Sequence, residues 1–499
     1  MNRRVALILL ALLGMALLGW SLGQFGAGLS PDSVGYITAA RQAAAGHGLR
    51  FADGTLLVNQ PPLYPLLLAT GAVLFRVDPL AVAPILNVLL LGATVALAGA
   101  LCFALLDSVA LALLGAAAVA VSIPLVNVTL MAWSEPLFVT LLTASLVLAS
   151  RYRRDPSARS LLVWAMLLAL ATLTRYAGIA LIGAGVCTIV LVHGIGWRHR
   201  VRDVVRFTVV AAAPLAVWML RNRSISGTLT GDRSPSDSSL WQNLERSAAV
   251  LGAWFVPGAG ESVLPALVLV AVALLLVGWS WRRDGGAWLG AAIVRWSPVW
   301  LTATGYAAFL LVTATFTGLD PLDDRLWSPA VVPLMVLVIA LLQRFWRLIA
   351  GEARARWLNH LLPLAVLLWL VLPLHASYSA VAQYLEDGGS GFGDRTWRQS
   401  ETIAYLRAHP GDCHVYSNEP DAITILTAIP AELTPLKSEH GSTRVTPLPA
   451  VWPAERKACL VWFTQESWDV LWTLDDLRTK VRLDLVREFA DGNVYRMLR

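Results

Sequence analysis

Polar punctuation cuts the chain into apolar runs near 5–23, 80–105, 109–126, 136–150, 161–174, 176–193, 204–220, 263–281, 296–316, 327–342 and 357–375, each with few or no charges. Stretches of this kind are the signal of helices that cross a bilayer, and the pattern predicts eleven spans. The stretch 62–75 differs: as a helix it rises only about 21 Å, short of the roughly 30 Å hydrocarbon core. It is predicted to lie as an interfacial or re-entrant helix. A break at Thr172-Leu173-Thr174-Arg175-Tyr176 divides a long apolar stretch into two spans joined by a tight hairpin.

The pattern changes after residue 375, giving a division into a transmembrane part, 1–375, and a smaller part, 376–499. The latter carries ordinary charge density and turn signals such as Glu386-Asp387-Gly388-Gly389-Ser390-Gly391. A helix is predicted over Thr396–Ala408 and short strands at Cys413–Ser417, Cys459–Phe463 and Val494–Leu498, the alternation of a small α/β domain.

Composition agrees with the pattern: 57% of the 499 residues are hydrophobic and 14% are charged, which excludes an ordinary soluble fold of this length. The N-terminal run after Met1-Asn2-Arg3-Arg4 is long enough to be an uncleaved anchor rather than a signal peptide. Charge sets the orientation. With 62–75 not spanning, Arg3, Arg4, Arg151, Arg153, Arg154, Arg159, Arg198, Arg200, Arg202, Arg206, Arg282, Arg283, Arg295, Arg344, Arg347, Arg354 and Arg356 fall on one side. The positive-inside rule makes that side cytoplasmic. The N-terminus is then cytoplasmic and the C-terminal domain extracytoplasmic, in a multi-pass protein of the cell (inner or plasma) membrane. No basic face outside these loops suits nucleic acid, so no nucleic-acid partner is expected. Cys102 and Cys187 lie in apolar runs as small buried hydrophobes. Cys413 and Cys459 are a disulfide pair if their region is extracytoplasmic and otherwise two unrelated thiols. No Cys/His ligand spacing suggests structural zinc.

The outer side gathers Asp32, Tyr36, His47, Gln60, Glu135, Arg175, Arg223, Arg233 and Arg325, so that only this face offers both a base and cations able to steady an anionic leaving group. Asp32 has two readings, cap of a helix over Ser33–Ala45 or catalytic carboxylate. Glu135, in Trp133-Ser134-Glu135-Pro136, is either a solvated helix start or a carboxylate with a buried partner. Arg175 either snorkels to headgroups or meets an anion such as Glu135, Asp32 or a phosphate. Arg325 either pairs with neighbouring Asp323 or Asp324 or serves phosphate, which it matches bidentately. His47 reads as a solvated turn residue.

Four motifs in order resemble the GT-C glycosyltransferases, in the branch with protein O-mannosyltransferases and lipid A aminoarabinose transferases: Pro31-Asp32-x-x-x-Tyr36 followed by Gln60-Pro61-Pro62-Leu63-Tyr64-Pro65; Ser134-Glu135-Pro136-Leu137-Phe138; Leu173-Thr174-Arg175-Tyr176-Ala177-Gly178; and Asp324-Arg325-Leu326-Trp327-Ser328-Pro329. The resemblance implies a GT-C-like polytopic α-helical membrane protein of about eleven transmembrane helices plus interfacial helices, with a small extracytoplasmic α/β domain. It implies inverting transfer of a sugar (hexosyl or pentosyl) from a polyprenyl-phosphate carrier to an envelope glycan, lipid or protein acceptor. Asp32 would be the general base and Glu135 a supporting carboxylate. Tyr36, Gln60, Tyr64, Arg175, Tyr176 and Arg325 would bind substrate, the two arginines at the carrier phosphate. Two departures stand out: Ser33 replaces the acid that many members place after the catalytic Asp, and Gln60 replaces a cationic residue before Pro-Pro. The first favours catalysis with no cofactor and no divalent metal. Membrane lipids are further expected partners. A transporter or flippase of lipid-linked sugars, with ionisable groups at mid-membrane, and a non-catalytic envelope scaffold are the competing classes.

Overall fold

The computed structural model describes residues 3–192, 194, 196–350, 358–438, 444–464 and 468–498; Arg354 and Arg356 lie outside these. The apolar runs fold as helices. In chain order these are α1 (Arg3–Phe25), α2 (Pro31–Ala44), α3 (Leu63–Phe75), α4 (Pro79–Leu106), α5 (Val109–Ala120), α6 (Ile123–Leu130) and α7 (Glu135–Arg154). They continue with α8 (Ala158–Thr174), α9 (Gly178–Val190), α10 (Trp197–Ser226), α11 (Leu240–Phe255), α12 (Leu264–Asp284) and α13 (Ala287–Arg295). The last of the bundle are α14 (Ser297–Phe316), α15 (Asp324–Trp327), α16 (Val331–Ala350) and α17 (Leu358–Glu386).

Among the described residues, seven helical segments are long and apolar enough to cross a membrane, or eight with α5 and α6 taken together. The expected count of eleven is not established by length and composition, because α8 and α9 are short and the run 109–126 is two helices bent by 48°. The bend sits at Val121-Ser122, just before Pro124 in the first turn of α6, where proline starts a helix but cannot continue one. The 13-residue α3 is likewise too short to cross. It buries Tyr64, Leu68 and Ala72 and leaves Val73, Leu74 and Phe75 exposed, an apolar outward face fit for an interfacial position. Cys102 is buried as expected, but Cys187 lies on the outward face of α9.

The arginine-rich helix ends collect at one end of the bundle, opposite Asp32. Tyr152 of α7 donates to Asp203 of α10 at 2.7 Å, and Arg344 of α16 reaches Ser280 and Asp284 of α12 at 2.7 and 2.5 Å.

Helix α17 runs past residue 375 to Glu386. The chain then forms α18 (Arg395–Arg398), α19 (Glu401–Ala408), β1 (His414–Ser417), α20 (Pro420–Thr427), β2 (Ala431–Leu433), β3 (Ala458–Phe463), α21 (Leu474–Arg478), β4 (Arg482–Glu488) and β5 (Gly492–Leu498). The helix expected over Thr396–Ala408 is two, because Ser400 caps α19 by accepting from Ile403 N. The sheet order is β2-β1-β3-β5-β4, parallel at β2-β1-β3 and antiparallel at β3-β5-β4. Side chains alternate across it: Val415, Val461 and Val494 pack on α19 and α20, while Tyr416, Leu460 and Tyr495 pack with Leu477 of α21. A disulfide joins Cys413 to Cys459, adjoining β1 and within β3.

The α/β unit is docked on the bundle. In α20, Ile423 enters the core of the sheet domain, whereas Ala422 and Ile425 enter that of the bundle. The segment before α2 is clamped between both units: Gly28 N donates to Leu130 O at 2.8 Å, and Leu29 N to Ser390 O at 3.0 Å. Gly391, at φ +56°, has Leu29 O where a Cβ would stand, so only glycine fits there.

Candidate active site

Asp32 is not the cap of α2. The cap is Ser30, whose side chain accepts from Ser33 N, and Pro31 opens the helix. Asp32 in the first turn is thereby left to point at other elements. It accepts from Gln60 Nε2 at 2.9 Å and from Arg325 Nη2, 293 positions away. Its side chain remains 41% exposed, so the carboxylate can still be reached from outside.

Glu135 begins α7 and is fully buried. Its Oε1 takes both guanidiniums, Arg325 Nε at 2.6 Å and Arg175 Nη1 at 2.5 Å. A buried carboxylate is tolerated only with such partners. Arg175 sits where the backbone turns from α8 into α9, extended at φ −147°. Gly178 lets the turn close, since a Cβ there would meet the backbone of Thr172. Arg325 is delivered by the first turn of α15. Asp323 caps that turn by accepting from Leu326 N at 2.9 Å, and Asp324 accepts from Trp254 Nε1 at 2.7 Å. Both neighbouring acids are thus engaged elsewhere, and Arg325 spans Asp32 and Glu135. Its guanidinium lies 4.3 Å from the Trp133 ring centroid, a cation–π contact.

The four charged groups form one chain, Asp32–Arg325–Glu135–Arg175, two acids against two bases. Burial works against the Asp32 carboxylate, but the charge and hydrogen bond of Arg325, with Arg175 and Gln60, outweigh it and hold its pKa below the ordinary aspartate range. Tyr36 and Ser134 share a hydrogen bond at 3.0 Å, and Arg175 donates to Ser134 at 3.2 Å. Tyr64 meets Tyr36 edge to face at 5.1 Å. Three buried atoms at this place, Glu135 Oε2, Gln60 Oε1 and Tyr64 Oη, have no hydrogen-bond partner among the described residues. Unsatisfied polar atoms are rare in buried positions and point to a further interaction there. No group of three His, Cys, Asp or Glu side chains comes together as a metal-ligand set among the described residues.

Tyr176 is placed differently from the rest. Its hydroxyl donates to Val58 O at 2.8 Å and accepts from Trp218 and Asn222, both at 3.1 Å. Together with Arg221, which donates to Leu57 O at 2.5 Å, it holds the loop that carries Gln60. Arg233 reaches Asn59 O at 3.2 Å on the same loop. His47 bonds Gln42 at 2.9 Å on the exposed side, and Arg223 is exposed; neither joins the cluster.

One acid of the site was not singled out from sequence. Asp421, in the first turn of α20, is carried by the sheet domain to the side of α2. Burial and then the charge of Asp32 push its pKa up to about 6. The only signal was Asn418-Glu419-Pro420-Asp421 after a strand, which repeats the acid-Pro opening of Glu135-Pro136. Trp133, Ser134 and Asn222 are further members that side-chain type alone did not mark.

No protein-family model matches the sequence, and no curated protein matches it. Solved structures do. ArnT from Cupriavidus metallidurans in the apo state matches over 98% of this chain and 97% of its own, at 16% identity and a TM-score of 0.59. The same protein bound to undecaprenyl phosphate matches with the same coverage and TM-score at 15% identity. The Archaeoglobus fulgidus oligosaccharyltransferase, in complex with zinc and sulfate, matches over 86% of this chain and 62% of its own, at 14% identity and a TM-score of 0.51. This chain shares the fold of ArnT over nearly the full length of both chains, an arrangement of the GT-C type.

Proposed function

We propose that the chain is an inverting glycosyltransferase that moves a sugar from a polyprenyl-phosphate carrier to an envelope acceptor on the outer face of the membrane. The observation that carries this is the charge chain itself: an accessible carboxylate, Asp32, tied through Arg325 to a buried Glu135 and Arg175. Further support comes from the ArnT structure with undecaprenyl phosphate bound, whose fold this chain shares.

The acceptor hydroxyl approaches Asp32, which takes its proton as the oxygen attacks the anomeric carbon from the face opposite the phosphate. The bond from that carbon to the phosphate oxygen breaks, and the electron pair leaves with the phosphate. Arg325 and Arg175 face the growing negative charge with fixed donors, which is worth most in a water-poor site. Glu135 holds the two cations side by side. Gln60 orients Asp32, and Tyr36, Tyr64 and Tyr176 shape and support the pocket wall. The carrier tail runs along the exposed apolar face of α3 in this reading. Transfer proceeds without a metal, since Arg325 already supplies positive charge next to the base. The arginine-rich end faces the cytoplasm, with the sheet domain and Asp32 outside.

The test is in cells. Cells carrying Asp32→Asn in place of the wild-type protein lose one envelope glycan and accumulate its sugar-charged carrier lipid. Unchanged glycan and carrier pools would sink the assignment of Asp32.

A further inference from the structure

The opposite end of α7 holds a second built site. A cavity of about 640 Å³ opens where the ends of α4, α7 and α13 meet. Helix α7 runs twenty residues from Glu135 to Arg154, which places the two ends about 30 Å apart, so this cavity has no part in the charge chain around Asp32. Arg153 and Arg154 from α7 and Arg295 from α13 line it together. Arg153 feels both of the others as like charges, and neither Arg153 nor Arg295 has a carboxylate partner among the described residues. Among the described residues Asp107 is the single acid in the lining, which leaves an excess of two positive charges over these four groups.

Arginines at a cytoplasmic helix end ordinarily need only water, and such clusters alone set topology. Two features separate this one. Ser150 also lines the cavity, is 3% exposed, and its Oγ has no hydrogen-bond partner among the described residues. The remaining wall is apolar, with Phe103, Leu105 and Val294. Convergent guanidiniums, a buried hydroxyl and an apolar wall match a phosphate that carries hydrocarbon. Basic pockets between membrane helices take anionic headgroups in this way.

We infer that this cavity binds the phosphate headgroup of an anionic lipid, with Arg153, Arg154 and Arg295 around the phosphate, Ser150 donating to it, and the glycerol and upper acyl chain against Phe103, Leu105 and Val294. The site is independent of glycosyl transfer. It ties α7, whose other end begins with Glu135, to the lipid leaflet at the far end of the bundle.

The test is binding to the purified full-length protein in neutral detergent, by titration with dioctanoyl-phosphatidylglycerol, dioctanoyl-phosphatidylcholine and inorganic phosphate. The wild type binds the phosphatidylglycerol best, and Arg153→Gln with Arg295→Gln weakens it at least about tenfold. Arg295→Gln alone changes an exposed side chain, so it keeps the test valid should the double variant misfold; it weakens binding by about threefold or more. Arg198→Gln, an exposed arginine elsewhere at this end, leaves binding unchanged. Equal binding by wild type and both cavity variants overturns the site. Inorganic phosphate binding as tightly as the lipid overturns the lipid assignment.

Discussion

The two ends of α7 carry the same chemistry in opposite states of balance. At the Glu135 end each guanidinium meets a carboxylate: Arg175 and Arg325 share Glu135, and Arg325 goes on to Asp32. At the Arg154 end three guanidiniums line an open cavity in which, among the described residues, Asp107 is the one acid, and Arg153 and Arg295 have no carboxylate partner there. Positively charged side chains held by buried acids are fixed in direction and cost little reorganisation when charge develops beside them. Uncompensated ones are held only by water or by an anion from outside. The first arrangement suits a reaction and the second suits a binding or orienting contact.

The sharpest way to break this contrast is at Glu135. Glu135→Gln removes the shared partner of two buried cations, and a buried pair broken on one side costs roughly 3–5 kcal/mol. A large fall in the thermal unfolding temperature in detergent is expected. The matching change at the other end, Arg153→Gln, relieves like-charge crowding and leaves that temperature unchanged or slightly raised. Equal effects at both ends would remove the distinction. Next in size, Arg325→Lys keeps the charge but loses the fork that spans two carboxylates; transfer falls about a hundredfold, with folding kept.

A smaller effect separates Asp32 from Asp421. The Asp32 carboxylate stays ionised to below the usual range, so its contact with Arg325 contributes stability above its unfolded pKa that is lost only as pH falls through the depressed folded value. Asp421 has the opposite sign: with its pKa raised to about 6, the folded protein favours the neutral form and loses stability as pH rises from about 4 through 6. Asp421→Asn therefore stabilises the protein at pH 7.5 by about 1–2 kcal/mol, discounted for partial exposure, and has no effect at pH 4. Unfolding scans at the two pH values check both signs. The smallest effect is Tyr36→Phe, which removes the bond to Ser134 and costs about 1 kcal/mol, seen as a small shift in the same scans.

Sequence made the cluster legible because its members sit at ordered places where polar residues interrupt apolar runs. The acid and arginine positions follow from cost: a charge beside a membrane span needs a partner. What sequence could not show was the choice among partners. Arg325 stands next to two acids, and only the fold turns Asp323 to a backbone cap and Asp324 to Trp254. For Asp32, Ser30 settled the matter by taking the capping role, with Pro31 as the first helical residue. The number of spans stayed beyond reach for a related reason: hydropathy marks apolar length but is blind to a bend at Ser122 before Pro124. In the C-terminal part, β4 was missed because Arg482–Glu488 is mostly polar and exposed. Such charged strands are common at sheet edges. Asp421 was hidden because its importance comes from docking between domains, with Ala422 and Ile425 set in the bundle core.

In the proposed reaction Asp32 takes the acceptor proton while Arg325 and Arg175 serve the carrier phosphate. Purified wild-type and Asp32→Asn proteins, given one polyprenyl-phosphate sugar and acceptor under single-turnover conditions, test it directly. A transfer rate about 10²–10⁴-fold lower is expected for Asp32→Asn, the range for a lost general base, with carrier binding unchanged. A transfer rate within threefold of wild type, or a loss explained wholly by weaker carrier binding, contradicts it.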